Sequence, residues 1–140
     1  VSTMDSMVGY KTPPYRRFGW CGARLDDVMN YLPARFTWLL MVALAFLLPG
    51  LSGRKAWRVG IDQHAVLLGP NSGWSEAAMA GALGRRLVGP IWLRGLLVTD
   101  VWLGDRADPP LSAAADVRRA LVLTLATALA VAVLSIVLLA

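Results

Sequence analysis

The C-terminal end of the sequence most constrains the fold. Ala120–Ala140 is a run of 21 residues without an Asp, Glu, Lys or Arg. As a helix it would extend about 32 Å, and a bilayer's hydrocarbon core is about 30 Å thick. A signal peptide would instead lie at the N-terminus, behind basic residues. The run therefore predicts a membrane-spanning helix.

Composition supports a membrane protein over a soluble domain. Hydrophobic residues make up 56% of the chain and charged residues 16%, whereas soluble domains average about 25% charged residues. A second uncharged run, Phe36–Leu51, would extend about 24 Å as a helix, which is short for a span. It either crosses with help from Tyr31–Ala34, or enters the membrane and returns at Pro49. We expect an all-α, polytopic integral protein of the cell membrane.

These runs divide one membrane-embedded domain into four parts. Residues 1–35 form a motif loop followed by an amphipathic helix, which we expect Pro33 to end. Residues 36–51 are the hydrophobic segment, 52–119 the central motif region, and 120–140 the terminal span. Within the central region, residues 87–103 are apolar but contain Arg94 and Asp100, so we expect an interfacial or protein-covered segment.

The stretch 70–84 has the pattern of a closely packed helix. Asn71 and the two residues after it are helix starters, and Glu76 is predicted in the first turn, where an acid suits the helix dipole. Small residues follow four apart, including Ala77 and Gly81, which permits close approach of a neighbouring backbone. Packing alone explains the small residues but leaves the polar residues at the helix start unexplained.

Several functional classes are excluded or disfavoured. Net charge is +5, but the basic residues are scattered, which argues against a nucleic-acid surface. The single cysteine, Cys21, cannot form an internal disulfide and is interpreted as a packed side chain. The sequence has no Walker loop and no Ser/His/Asp set. Adjacent acids such as Asp26 and Asp27 could hold Mg²⁺; helix capping and solvated ion pairs are the alternative interpretation.

Five groups of residues occur in the order found in one known family. They are Asp5-Ser6-Met7-Val8-Gly9-Tyr10-Lys11; Phe18-Gly19-Trp20; Ala23-Arg24-Leu25-Asp26-Asp27; Pro33-Ala34-Arg35; and Pro70-Asn71 with Gly73-Trp74 and Glu76 to Gly84. The chain thereby resembles the cobalamin-biosynthesis membrane proteins that act as adenosylcobinamide-phosphate synthases. The resemblance runs from Val1 to about Leu103 and implies that this chain is the C-terminal portion. His64 departs from the family pattern, because Ala65–Gly69 separates it from Pro70.

The resemblance implies an ATP-dependent amide ligase. Such an enzyme joins aminopropanol, or its phosphate, to the free side-chain carboxylate of adenosylcobyric acid, with ATP and Mg²⁺ as co-substrates and no tightly bound cofactor. The residues implied as catalytic are Asp26, Asp27 and Glu76, with Mg²⁺ at Asp26 or Asp27. Those implied as substrate-binding are Asp5, Lys11, Arg24, Asn71 and Trp74. The expected partners are the corrinoid, the amino alcohol, membrane lipid and the N-terminal half of the protein, without nucleic acid.

A rival interpretation is a non-catalytic transporter or signalling homologue on the same scaffold. It predicts polar residues along a membrane pathway, whereas the acids here lie outside the two uncharged runs. A ligase using cytosolic ATP would need the Asp5–Asp27 and Asn71–Glu76 segments to meet on the cytosolic side. We therefore expect the run between them to form a re-entrant or tilted hairpin, since a return through the charged 52–70 segment would be costly.

Overall fold

The computed structural model describes residues 16–67, 70–93 and 95–140, and these are mostly helical. Their elements, in chain order, are α1 (Arg16–Leu47), α2 (Gly53–Gln63), α3 (Ser72–Leu83), β1 (Leu87–Leu93), β2 (Leu96–Leu103) and α4 (Ala114–Leu139). The expectations for residues 1–15 lie outside the described residues.

The first helix is longer than the sequence suggested. It begins at Arg16 and continues through Pro33 to Leu47, so the predicted helix end at Pro33 is wrong and the boundary placed after residue 35 falls inside α1. A proline within a helix costs about 3 kcal/mol. Here that cost is offset by an apolar run after Pro33, whose Trp38, Met41, Val42 and Ala45 are all buried in the core.

The second and third helices form an antiparallel pair against the C-terminal half of α1. Gly53 of α2 lies against Phe46 and Gly60 lies against Trp38, so α2 runs back along α1. The Ser52 amide donates to the Ala82 carbonyl at 2.9 Å, which places the end of α3 beside the start of α2. The chain thus turns back after α1 and returns to the middle of that helix through residues 52–70. How this segment lies relative to the membrane stays a prediction.

Ion pairs explain how the charged helix α2 is accommodated. Lys55 Nζ lies 2.7 Å from Asp108 Oδ1, and Arg58 pairs with Asp105. The Gln63 side chain donates to the Gly104 carbonyl oxygen at 3.1 Å and accepts from the Gly104 amide at 2.8 Å. Lys55 and Arg58 therefore face the loop that follows β2, and the small residues Gly53, Ala56 and Gly60 of α2 are buried.

An antiparallel β-hairpin replaces part of the expected all-α fold. Its register runs from Leu87 opposite Leu103 to Leu93 opposite Leu96, with a bulge between Ile91 and Trp92. Gly89 disfavours a helix, Gly95 adopts a φ of +79° at the turn, and β2 is rich in branched and aromatic residues, which favour strands. The all-α prediction is wrong in this segment.

The terminal helix runs antiparallel to α1. Thr127 and Val131 lie near Thr37, whereas Arg119 lies near Leu48, so residue numbers rise along α1 as they fall along α4. The base of α4 is fixed by the buried carboxylate of Asp116, which accepts a hydrogen bond from Arg85 Nε at 2.7 Å.

Two helices in the described part of the chain are long and apolar enough to cross a membrane. They are the Arg24–Leu47 part of α1 and the whole of α4, Ala114–Leu139. Only 22% and 11% of their most apolar windows are buried, whereas a core helix of a soluble protein is mostly buried. The predicted helix at Ala120–Ala140 is confirmed as the main part of α4.

Candidate functional site

A polar cleft separates α1 from the start of α3. Its volume is about 440 Å³, and the polar residues that line it are Asp26, Asp27, Asn30, Thr37, Asn71, Ser72 and Ser75. Asp26 and Asp27 belong to one motif, and Asn71 and the two serines belong to another. A hydrogen bond joins Asp27 and Asn71, which are 44 residues apart in the sequence. The sequence expectation that these two segments meet is confirmed at Asp27 and Asn71; the side of the membrane stays a prediction.

Asn71 connects the two walls of the cleft. Its Nδ2 donates to the Asp27 carbonyl oxygen at 2.8 Å, and its Oδ1 accepts from Arg35 Nη1 at 3.0 Å. Asn71 stands at the N-cap of α3, but its side chain makes no capping hydrogen bond. Both ends of the amide are instead used to hold α3 against α1, so Asn71 positions the cleft residues.

Arg35 is the residue that the site prediction left out. Its guanidinium lies 3.3 Å from the centroid of the Tyr31 ring and 5.1 Å from that of Trp74, and Nη1 also donates to the Tyr31 carbonyl at 2.8 Å. No carboxylate within the described ranges pairs with it. The Pro33-Ala34-Arg35 motif was the sequence feature that could have indicated Arg35 as a site residue. Only the structure shows that its guanidinium is held beside Asn71.

Trp74 lies in an aromatic cluster behind the cleft. It stacks on His64 with ring centroids 4.0 Å apart and contacts Trp38 at 4.8 Å. His64 Nδ1 lies 2.8 Å from the Ile61 carbonyl oxygen, in agreement with a structural role for this histidine. The Trp74 indole also approaches Arg35, so it supports that cation, while the residues lining the cleft do not include Trp74.

Glu76 lines a different cavity. Since α3 begins at Ser72, this acid lies in the second turn, and the predicted first-turn position is wrong. The neighbouring cavity, about 640 Å³, has mostly apolar walls from Met41, Met79 and residues of α4. Thr37 and Ser75 line both cavities, so the cavity that Glu76 lines adjoins the polar cleft. Partial burial raises the pKa of Glu76 above its ordinary value of 4.5.

The raised pKa predicts a specific pH dependence of stability. The folded protein holds the Glu76 proton more tightly than the unfolded chain, so stability falls as pH rises from 4.5 through the raised value. Glu76→Gln should remove this decline. We expect the difference in Tm between wild type and Glu76→Gln, measured on the full-length protein in detergent, to decrease as the pH rises across that window. A pH profile of Tm for Glu76→Gln that runs parallel to the wild-type profile would contradict this assignment.

The cleft suits a magnesium ion that is shared with a phosphate ligand. Among residues 16–67, 70–93 and 95–140, no group of three or more His, Cys, Asp or Glu side chains could enclose a metal. Mg²⁺ is commonly held by one or two carboxylates, with water and substrate phosphates as its other ligands. Asp26 and Asp27 both line the cleft and are half-buried, so they fit such an ion.

The other predicted site residues are spread more widely. Arg24 is exposed on α1, about one turn before Asp27. Asp5 and Lys11 lie outside the described residues. Of the eight predicted positions, the structure brings Asp26, Asp27 and Asn71 into the cleft and Glu76 beside it.

Comparison with known proteins identifies the chain's relatives. The CobD/Cbib protein family matches residues 1–124. A protein from Pelobacter propionicus named cobalamin biosynthesis protein CobD is 47% identical over 137 residues, which cover 97% of this chain and 41% of that protein. The protein of the same name from Yersinia enterocolitica is 50% identical over 105 residues, 75% of this chain and 33% of the relative.

A third relative, cobalamin biosynthesis protein CbiB of Salmonella typhimurium, is also 50% identical over 105 residues, 75% of this chain and 33% of its own length. No solved structure matches. The chain thus spans about a third to two fifths of the curated relatives that it matches. The family match covers the cleft residues on both α1 and α3, and with these identities it shows that the chain belongs to the CobD/CbiB family.

Proposed function

We propose that this chain forms the C-terminal part of a cobalamin-biosynthesis enzyme that makes an amide bond at the expense of ATP. The acid substrate is adenosylcobyric acid, and the amine is aminopropanol or its phosphate. The observation that carries the proposal is the convergence of two motif segments, at Asp27 and Asn71, on one polar cleft. The relatives' names support the pathway, and the resemblance described above supports the reaction.

The chemistry requires an activated carboxylate. A carboxylate is a poor electrophile, so we propose that one of its oxygens attacks the γ-phosphorus of ATP, giving an acyl phosphate and ADP. The amine nitrogen then attacks the acyl carbon, the C–O bond to phosphate breaks, and the amine loses a proton. The products are the amide, ADP and inorganic phosphate. Mg²⁺ bound with ATP would neutralise phosphate charge.

Residues in the cleft and near it divide among these tasks. Asp26 and Asp27, which line the cleft, would hold the Mg²⁺ of the nucleotide. Arg35, fixed by Asn71 and two aromatic rings, neutralises the substrate carboxylate or a phosphate oxygen. Glu76 accepts the proton from the attacking amine, and its raised pKa brings it closer to the range in which a general base works well. Arg24, Lys11 and Asp5 complete the substrate contacts in this proposal.

The exposed apolar surface supports an assembly in the cell membrane. Large side chains such as Leu129, Val133 and Ile136 on α4 are more than half exposed. In the full-length protein we propose that lipid and helices from the N-terminal half cover these surfaces, giving a multi-pass protein with the cleft on the cytosolic side. No nucleic acid is part of this proposal.

Growth of a synthase-deficient bacterial strain tests the function. The full-length protein containing this chain should restore growth that depends on cobalamin made from adenosylcobyric acid. An Asp62→Asn version should restore it equally, because that acid is exposed on α2 away from the cleft. If the protein is present in membranes and growth still depends on added adenosylcobinamide, the proposed reaction is wrong.

A further inference from the structure

A third cavity lies at the opposite end of the α1–α4 pair from the acids of the cleft. Its volume is about 710 Å³, and it is formed where the end of α1 meets the start of α4. Its apolar wall is formed by Leu48 and Leu51, which follow α1, and by Val122 of α4. Arg118 and Arg119 lie four and three residues before Val122, on the same face of α4. The proposed ligation uses none of these residues.

The positive charge in this cavity is only partly neutralised. Arg119 Nη1 lies 3.8 Å from Asp116 Oδ1, while the other carboxylate oxygen of Asp116 accepts from Arg85 Nε at 2.7 Å. One buried carboxylate therefore serves two arginines. Arg118 is exposed, and within the described part of the chain no carboxylate pairs with it. No acidic residue lines the cavity, so it has room and charge for an anion.

The two arginines lie where the charged start of α4 meets its uncharged run. The uncharged run of α4 begins at Ala120, directly after Arg119, and the apolar wall of the cavity continues onto that run at Val122. In a bilayer, lipid phosphates lie where the hydrocarbon region ends. Arginine side chains at this depth form charge-assisted hydrogen bonds to phosphate oxygens, and apolar side chains beside them can accept the first carbons of an acyl chain.

We propose that this cavity binds an anionic phospholipid, with its phosphodiester at Arg118 and Arg119 and its acyl chains along Leu48, Leu51 and Val122. A soluble phosphate compound would use the two arginines but would leave the apolar wall uncovered. A zwitterionic lipid would use the wall, but its headgroup cation would offset the attraction to the arginines. The combination of charge and apolar wall therefore favours a lipid with a net negative headgroup.

Competition between two lipids tests the proposal. The full-length protein in non-ionic detergent is equilibrated with equal amounts of phosphatidylglycerol and phosphatidylcholine that carry the same acyl chains, and retained lipid is quantified by mass spectrometry. Wild type should retain phosphatidylglycerol in preference. Arg118→Gln should lower that preference about fivefold, the effect expected of one arginine near an anionic lipid.

The matched control is Arg106→Gln, which removes the same charge from an exposed position outside the cavity and should leave the preference unchanged. Arg118 makes no ion pair within the described residues, so Arg118→Gln should keep the wild-type Tm. Arg118→Lys, which keeps the charge, serves as a second variant if the glutamine variant is unstable; it should retain most of the preference.

The lipid competition would overturn the proposal if wild type retained the two lipids equally, if the Arg106→Gln control lost the preference equally, or if a stable Arg118→Lys variant lost it. Soluble glycerophosphoglycerol distinguishes the source of the phosphate. It should fail to displace the lipid at millimolar concentration, and complete displacement would show a site for a soluble anion instead. Neither arm depends on ligase activity, so the result is independent of the proposed function.

Discussion

Replacing Asp27 by asparagine in the full-length protein is expected to lower the rate of amide formation by at least about 100-fold, the scale on which single catalytic groups contribute. Asp27 lines the cleft, and asparagine removes the charge that would hold a metal-bound nucleotide. The fold should survive, because Asn71 binds the backbone oxygen of Asp27 and not its carboxylate. Membrane abundance and Tm should therefore match the wild type.

The matched control is Asp62→Asn, which makes the same chemical change at an exposed position. Turnover of that variant should equal the wild-type value within error. A second comparison separates binding from chemistry: loss of a metal-nucleotide contact should raise the KM for ATP as well as lower kcat. If Asp27→Asn turns over at nearly the wild-type rate, Asp27 has only a structural role and the cleft is not the reaction site.

A valine at position 81 is expected to disrupt the packing of α2 against α3. A Cβ atom on Gly81 would lie 2.7 Å from the Lys55 carbonyl carbon and 2.8 Å from Ala56 Cα. These are backbone atoms, so they cannot rotate away as a side chain would. Overpacking of this kind costs about 1–3 kcal/mol, and valine adds bulk beyond Cβ. We expect a clear fall in Tm in detergent and a parallel loss of activity.

Gly84→Asn is the control for that experiment. Gly84 ends α3 with a φ of +59°, and the atoms nearest to a Cβ there are side-chain atoms at 3.7 and 3.9 Å. Asparagine tolerates this backbone conformation better than most residues, so its Tm should remain near that of the wild type. An unchanged or higher Tm for Gly81→Val would show that α2 and α3 are not in close contact.

The features that the sequence predicts well depend on local chemistry. An uncharged run as long as Ala120–Ala140 has few alternatives to a helix, and α4 contains all of it except the last residue. The small residues after Trp74 predict close packing, and Gly81 lies directly against the backbone of α2. The acids Asp26 and Asp27 belong to a motif, and both line the cleft.

The features that the sequence does not predict depend on tertiary contacts. Pro33 is a strong local signal for a helix end, but the helix continues because apolar residues on the next turns are buried. Two charges on α2, Lys55 and Arg58, are paired only because Asp108 and Asp105, about 50 residues later, are brought beside them. Arg35 likewise becomes a site candidate only when Asn71 and Trp74 are brought beside it. Spacing along the chain does not reveal these contacts.

The most direct test of the account is reconstitution of the reaction. Purified full-length protein in detergent would be incubated with adenosylcobyric acid, aminopropanol or its phosphate, ATP and Mg²⁺, and the corrinoids separated by chromatography. We expect adenosylcobinamide or its phosphate, with one ADP and one inorganic phosphate formed per amide and no product without ATP. Product formation without ATP, or no product from a folded, monodisperse protein with either amine, would contradict it.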